Sequence, residues 1–195
     1  ITMPVAVEDK IDYIIHCASI TTSKIMISRP VDVIRTSLNG TENLLELAKE
    51  KQVRSMVYVS SMEMYGVLNL QDDQMVTEEM TGYLNPLALR SNYPESKRMC
   101  ENMCVAYGTQ YEVPVKIARL AQTFGAGVLP GENRVFAQFA RSAMKGSDIV
   151  LHTEGKSEGN YCYTADAVRA LLTILVKGEN MQAYNVVNEK SHITI

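Results

Sequence analysis

The sequence predicts an α/β fold, a doubly wound parallel sheet covered on both faces by helices. Three observations carry this: short apolar runs alternate with stretches of helical periodicity, the runs are nearly continuous in the manner of buried strands, and no repeat, low-complexity tract or linker interrupts them. Strands alternating with helices argue for parallel β-α units. Sheets of that kind take their ligands at the carboxyl ends of the strands.

In chain order, Ile11 to Cys17 reads as a strand buried on both faces. Pro30 opens a long helical pattern through Val31, Ile34, Leu38, Leu45 and Ala48 that ends near Lys51. Met56-Val57-Tyr58-Val59 is the second strand, with Ser60-Ser61 at its carboxyl end, and a polar, turn-rich loop runs on to Asn92. The next helix begins with Tyr93 as N-cap and Pro94 as its first residue, carries Met99, Met103 and Ala106, and stops around Gly108 to Tyr111. Val115 to Ile117 is a third strand, followed by a glycine-rich loop from Phe124 to Asn133. Then come a helix from Val135 to Met144, a short strand from Ile149 to Leu151, a helix from Thr164 to Val176 and a strand from Tyr184 to Val187. One domain over 1–195 is expected, incomplete at both ends, with 1–147 as its main sheet part and 148–195 as part of a smaller lobe and a returning strand.

Composition narrows the function classes. With 46% hydrophobic and 21% charged residues the chain has material for a core, and a net charge of −3 with scattered Lys and Arg gives no nucleic-acid or membrane surface. No apolar stretch reaches the length of a membrane span and no leader pattern opens the chain, so a cytoplasmic location is the default. Cys17, Cys100, Cys104 and Cys162 form no C-x-x-C and read as free thiols. His16, His152 and His192 have no ligand-like partner at i+3 or i+4, so no metal site is expected. The 11 methionines read as core filler.

Tyr93-Pro94-Glu95-Ser96-Lys97 is the stretch that speaks for chemistry, because it sets a phenol and an ammonium one helical turn apart. A nearby ammonium favours phenolate and would bring the phenol toward the working range of a general acid/base. The same residues also suit an ordinary helix start. Gly125-Ala126-Gly127-Val128-Leu129-Pro130-Gly131 has a proline where a phosphate-cradling turn needs a helix, and reads as a loop near a site in preference to a phosphate cradle.

Further segments add to the pair: Asp12-Tyr-Ile-Ile-His-Cys-Ala18, Gly40-Thr-Glu-Asn-Leu-Leu-Glu46, Val59-Ser-Ser-Met-Glu-Met-Tyr-Gly66, Arg119 with Thr123-Phe-Gly125, and Tyr161-Cys-Tyr-Thr-Ala-Asp-Ala-Val168. In this order they make the chain resemble the extended short-chain dehydrogenase/reductase family, and within it the nucleotide-sugar epimerases, dehydratases and decarboxylases. The resemblance implies a Rossmann-like sheet lacking its first β-α-β unit, with part of a small C-terminal substrate lobe. It implies NAD, or NADP as an alternative, and a UDP- or dTDP-linked sugar oxidised at C4 to a transient 4-keto intermediate. Tyr93 would take the hydroxyl proton, Lys97 would hold the cofactor ribose, and Ser61 would hydrogen-bond the same sugar oxygen. Ala18, Ser37 and Ser60 would line the cofactor; Met62, Gln122 and Arg134 would line the substrate. Relatives commonly form homodimers through a four-helix bundle that includes the Tyr-Lys helix, so Met99, Cys100 and Met103 suit an interface or the core.

Departures from the family pattern shape the expected reaction. Where 4,6-dehydratases carry an Asp-Glu pair, this chain has Met62-Glu63, and a thioether cannot protonate a departing hydroxyl. Decarboxylation of a 4-keto uronic acid and C4 epimerisation need no such acid, so the expectation leans to a decarboxylase or epimerase, with Glu63 a catalytic carboxylate or only a solvated one. Ser37 and Gln122 stand where asparagines are usual, and Gly159 where an arginine often holds phosphate or carboxylate. Arg134 and Lys156 are substitutes for it or ordinary surface charges. Ser61 is also a plausible strand-end cap. The alternatives are a 4,6-dehydratase, an NADPH-dependent carbonyl reductase using the same Tyr-Lys pair, and a non-catalytic nucleotide-binding remnant.

Overall fold

Alternating apolar runs and helical periods fold into α/β layers in the computed structural model, which describes residues 1–71, 74–151 and 154–195. His152 falls outside the described residues. Along the chain come β1 (Tyr13–His16), α1 (Ser23–Ser28), α2 (Pro30–Glu50), β2 (Ser55–Ser61), α3 (Asn92–Tyr111) and β3 (Val115–Leu120). After them come β4 (Gln122–Phe124), α4 (Val135–Lys145), β5 (Glu158–Gly159), β6 (Tyr161–Tyr163), α5 (Thr164–Lys177), β7 (Ala183–Val186) and β8 (Ile193–Thr194). Two compact units result, one of residues 1–119 with 171–185 and the other of 120–170 with 186–195.

The first unit is built on a sheet of order β1-β2-β3-β7. β1 runs parallel to β2, with Tyr13 opposite Ser55 and His16 opposite Tyr58. β3 and β7 also advance together, since the Met181 N–H bonds the Val115 carbonyl and the Ile117 N–H bonds that of Gln182. α2 starts at Pro30, where a missing N–H leaves no hydrogen bond unmade. Its buried Leu45 and Ala48 meet Cys100 and Cys104 of α3 and Met56, Tyr58, Val115 and Ile117 of the sheet in one core. Each buried Leu, Met, Val or Ile side chain there contributes about 1.5–3 kcal/mol by leaving water. α3 stops at Tyr111, after which Glu112 turns left-handed with φ 57°.

Several expectations are corrected. β1 is not buried on both faces: this edge strand leaves Tyr13 46% and Ile15 37% exposed on one side while His16 is buried. α3 begins at Asn92 with Ser91 as N-cap, so Tyr93 is the second helical residue and Pro94 the third, still within the turn whose N–H groups need no helical acceptor. Ile149 to Leu151 form no strand and are exposed, since a three-residue run without a partner has no ladder to join. α1 and the short strands β4, β5, β6 and β8 were not expected. Of the methionines, Met26, Met56 and Met64 fill the interior, whereas Met3, Met75, Met99 and Met144 are exposed. Cys17 is exposed, while Cys100, Cys104 and Cys162 are buried free thiols.

In the second unit β4 pairs parallel with β6 and β5 antiparallel with β8. Phe124, Phe136, Tyr161 and Tyr163 form its aromatic cluster. Gly125, at φ 135°, passes so close to Tyr163 that a Cβ would stand 2.5 Å from the ring, which makes glycine necessary there.

The core assignment is open to a direct test. Leu45→Ala should cost about 2–5 kcal/mol in urea unfolding. Met144→Ala, at a side chain 87% exposed, should change stability by no more than about 0.5 kcal/mol.

Candidate active site

The carboxyl end of β2 is shaped by a short turn that α3 holds in place. Ser61 is extended, and its Oγ accepts the Glu63 N–H at 3.2 Å, opening a 3-10 turn over Met62–Tyr65. The capping role foreseen for Ser61 is real, and it leaves the hydroxyl proton free to donate elsewhere. Gly66 closes the turn at φ 68°, where a Cβ would meet the Tyr83 carbonyl at 2.5 Å. From α3, Arg98 Nε donates to the Met64 carbonyl at 2.7 Å, and its Nη2 donates to those of Tyr65 at 3.2 Å and Gly82 at 2.7 Å.

Tyr93, Lys97 and Glu101 follow one another at single-turn spacing on α3 and are all buried. Tyr93 packs with Met26 and Val33. Lys97 is 3% exposed. Its Nζ donates to the Val59 carbonyl at 2.8 Å and lies 5.6 Å from the centroid of the Tyr93 ring and 4.9 Å from that of Tyr58. Burial pulls its pKa down to about 8, against the opposing influence of Cys100 and Glu101. His16, buried and near Lys97, is pushed down to about 4 by burial first and by that charge second, so it is neutral at pH 7. On the outer side of Tyr93, Arg90 Cζ stands 5.8 Å from the ring centroid, and Arg90 Nη2 is paired with Glu63 Oε2 at 3.0 Å.

Glu101 anchors a buried network. Arg119 Nη2 donates to Glu101 Oε2 at 2.7 Å while its Nε reaches both carboxylate oxygens, at 3.1 and 3.2 Å. Arg119 Nη1 donates to the Tyr65 hydroxyl at 2.9 Å and to the Glu78 carbonyl at 2.6 Å. The Tyr65 hydroxyl donates in turn to Asn185 Oδ1 at 2.7 Å. Ser60 Oγ donates to Glu101 Oε1 at 2.5 Å, so the hydroxyl expected to line the cofactor is committed to this network. A groove past Glu78, Arg98, Glu101 and Arg119 runs beside α3, but its guanidinium groups are already engaged by protein acceptors.

The other expected residues fall into two groups. Ala18 is exposed just beyond β1, and Met62 is half-buried in the turn. Among the described residues, the Ser37 Oγ is buried without a partner, as are Ser19 Oγ and His16 Nδ1. His16 Nε2 lies 3.1 Å from Thr41 Oγ1, which donates to Cys100 Sγ at 3.3 Å, and that thiol donates to the Ser37 carbonyl at 3.3 Å. Gln122 and Arg134 belong to the second unit. There, a Cβ on Gly159 would lie 3.9 Å from Gln122 Nε2, so two departures from the family pattern are neighbours. The two suggested substitutes for the arginine are each held by a local carboxylate, Arg134 by Glu132 at 2.7 Å and Lys156 by Glu154 at 2.6 Å.

Arg90, Arg98 and Glu101 were not singled out from the sequence. Glu101 carried a signal, since it continues the face of Tyr93 and Lys97. Among the described residues, no three His, Cys, Asp or Glu converge as metal donors, and no helix is long and apolar enough to cross a membrane.

Comparison with known proteins adds to this geometry. The model of the NAD dependent epimerase/dehydratase family matches residues 3–188. UDP-glucuronic acid decarboxylase 1 of Xenopus tropicalis is 31% identical over 166 residues, 85% of this chain and 38% of that protein. UDP-glucuronic acid decarboxylase 6 of Arabidopsis thaliana is 31% identical over 191 residues, 96% of this chain and 53% of that protein. The chain therefore spans about half or less of the length of these relatives. A solved UDP-glucose 4-epimerase from Thermotoga maritima superposes with a TM-score of 0.81 at 22% identity, covering 94% of this chain and 57% of that one, a likeness of fold.

Two outcomes follow from the buried charges. Removing one partner strands the other, so Arg119→Leu alone should cost about 3–5 kcal/mol in urea unfolding, and the double variant with Glu101→Leu clearly less than the sum of the two single changes. For Lys97, the folded pKa of about 8 lies below the ordinary 10.5, so between those values only the unfolded chain holds the proton and folding stability rises with pH. Wild type should gain on Lys97→Met across that window, and a stability gap independent of pH would show that the ammonium is not disfavoured by burial.

Proposed function

The chain belongs to the NAD dependent epimerase/dehydratase family, and from that premise we propose that the protein containing it oxidises C4 of a UDP- or dTDP-linked sugar and then decarboxylates or epimerises the 4-keto product. The observation that carries this is the placement of Tyr93 over a buried Lys97 that is tied to the carboxyl end of β2, one residue pair before Ser61. Tyr93 takes the proton of the C4 hydroxyl. Lys97 is fixed by the Val59 carbonyl, and its positive charge opposes the negative charge that develops as the proton leaves. Ser61, already accepting the Glu63 N–H, donates its own proton to the sugar oxygen and holds it in line.

The residues fit the ribose and nicotinamide end of a dinucleotide. Lys97 Nζ has the Val59 carbonyl as its acceptor among the described residues and two further protons to give. Among the described residues, the Ser19 and Ser37 hydroxyls are buried without partners, as polar groups awaiting a ligand are. NAD bound there, with NADP the alternative, supplies the hydride acceptor; Ala18 and Ser37 would line it.

Met62 supports decarboxylation or epimerisation over loss of water, because the thioether offers no proton to a leaving hydroxyl. A 4-keto uronic acid is a β-keto acid and loses carbon dioxide without that help. Gln122, Arg134 and the stretch 148–195 are assigned to the substrate side; residues 148–170 and 186–195 of that stretch fall in the second unit. We further assign a cytoplasmic homodimer. Support for the dimer comes from Val31 and Ile34 of α2 and Met99 of α3, which are apolar and exposed.

In the full-length protein, Tyr93→Phe should abolish sugar oxidation, by about 10²-fold or more, while calorimetry shows NAD still bound. Unchanged turnover would sink the assignment. Mass analysis after incubation with UDP-glucuronate, UDP-glucose and dTDP-glucose should show loss of carbon dioxide from the first or a C4 epimer, and loss of water from dTDP-glucose would overturn the argument from Met62.

A further inference from the structure

The three arginines near the turn differ in what they have left to offer. Arg98 commits its Nε and Nη2 to three fixed backbone carbonyls, and Arg119 commits all three of its nitrogens to Glu101, Tyr65 and Glu78. Arg90 is different. Among the described residues its Nη2 alone is engaged, by Glu63 Oε1 at 3.2 Å and Oε2 at 3.0 Å, which leaves Nε and Nη1 open. The two side chains are 39% and 40% exposed, so water screens the pair and the bond is inexpensive to exchange. It stands against the ring of Tyr93, 5.8 Å from the centroid.

A guanidinium with open donors, held by one exchangeable carboxylate beside the acid/base tyrosine, is a receptor for another carboxylate of the right shape. We propose that Arg90 is the specificity residue for a uronic acid substrate: the sugar carboxylate displaces Glu63 from the Arg90 fork and is gripped in its place. This rests on the sugar-oxidising reading above and names the substrate class it serves. Glu63 is then the internal stand-in for the substrate. Its departure from Arg90 frees a carboxylate next to the reacting sugar.

The stand-in relation sets opposite signs for the two partners, which a merely structural ion pair would not. Calorimetry on the full-length protein, with UDP-glucuronate and UDP-glucose as probes, reads them. Arg90→Met should weaken UDP-glucuronate about ten- to hundredfold while UDP-glucose stays within about twofold. Arg90→Lys should restore part of that preference, since charge returns without the fork. Glu63→Gln should tighten UDP-glucuronate about two- to fivefold by removing the competitor. Equal weakening of both sugars by Arg90→Met, or weaker uronate binding by Glu63→Gln, would overturn the proposal. Binding needs no chemistry, so the same comparison in Tyr93→Phe separates the two claims. Wild type that binds both sugars equally refutes the selectivity and leaves the oxidation standing, whereas wild type that binds neither refutes both.

Discussion

The buried pair of Arg119 and Glu101 is the constraint on which the site depends. One guanidinium ties α3 to β3, to the turn after β2 through Tyr65 and to the Glu78 carbonyl, and Ser60 adds the strand itself to the same carboxylate. A charge pair in the interior is costly unless nearly every lone pair and proton is used. Here they are used by elements that come from distant parts of the chain. The row Tyr93, Lys97, Glu101 therefore links the proposed acid/base pair to the fold: whatever fixes Glu101 also fixes the rotation of α3 about its axis, and with it the direction of the phenol and the ammonium.

Tyr93 lies between two cations of different kinds. Lys97 is enclosed, where its field is weakly screened. Arg90 is half in water, where solvent and salt weaken its field, and its contribution depends on whether Glu63 is beside it. The first is a permanent feature of the helix. The second can be changed by a ligand.

Much of this was legible in the sequence, and the gaps have physical causes. Pro30 and the period that follows mark α2 because N-terminal proline and apolar spacing are local properties. The Tyr93 to Lys97 relation was also local. The start of α3 was misplaced by two residues because a proline is equally harmless anywhere in the first turn. An apolar run such as that of β1 does not say whether both faces will be covered, since covering depends on other segments. Ser60 could not be assigned for the same reason: its partner, Glu101, is 41 positions away and the bond exists only once α3 packs on β2. Arg90 and Glu63, 27 positions apart, are joined only by tertiary folding.

The way Arg98 and its neighbours pin the chain after β2 bears on how such a site diversifies. Val67 is bridged to Tyr83, and the Val76 carbonyl is bonded by Asn185, so the chain after β2 is held at two further points. An excursion with clamped ends can change length at a cost of only about 0.6 kcal/mol per doubling. α3 has no such freedom, because adding or removing one residue there would turn the phenol, the ammonium and the carboxylate by about 100° relative to one another. Within such a fold, changes of length are far cheaper in surface loops than in the helix, whose reading frame sets the site.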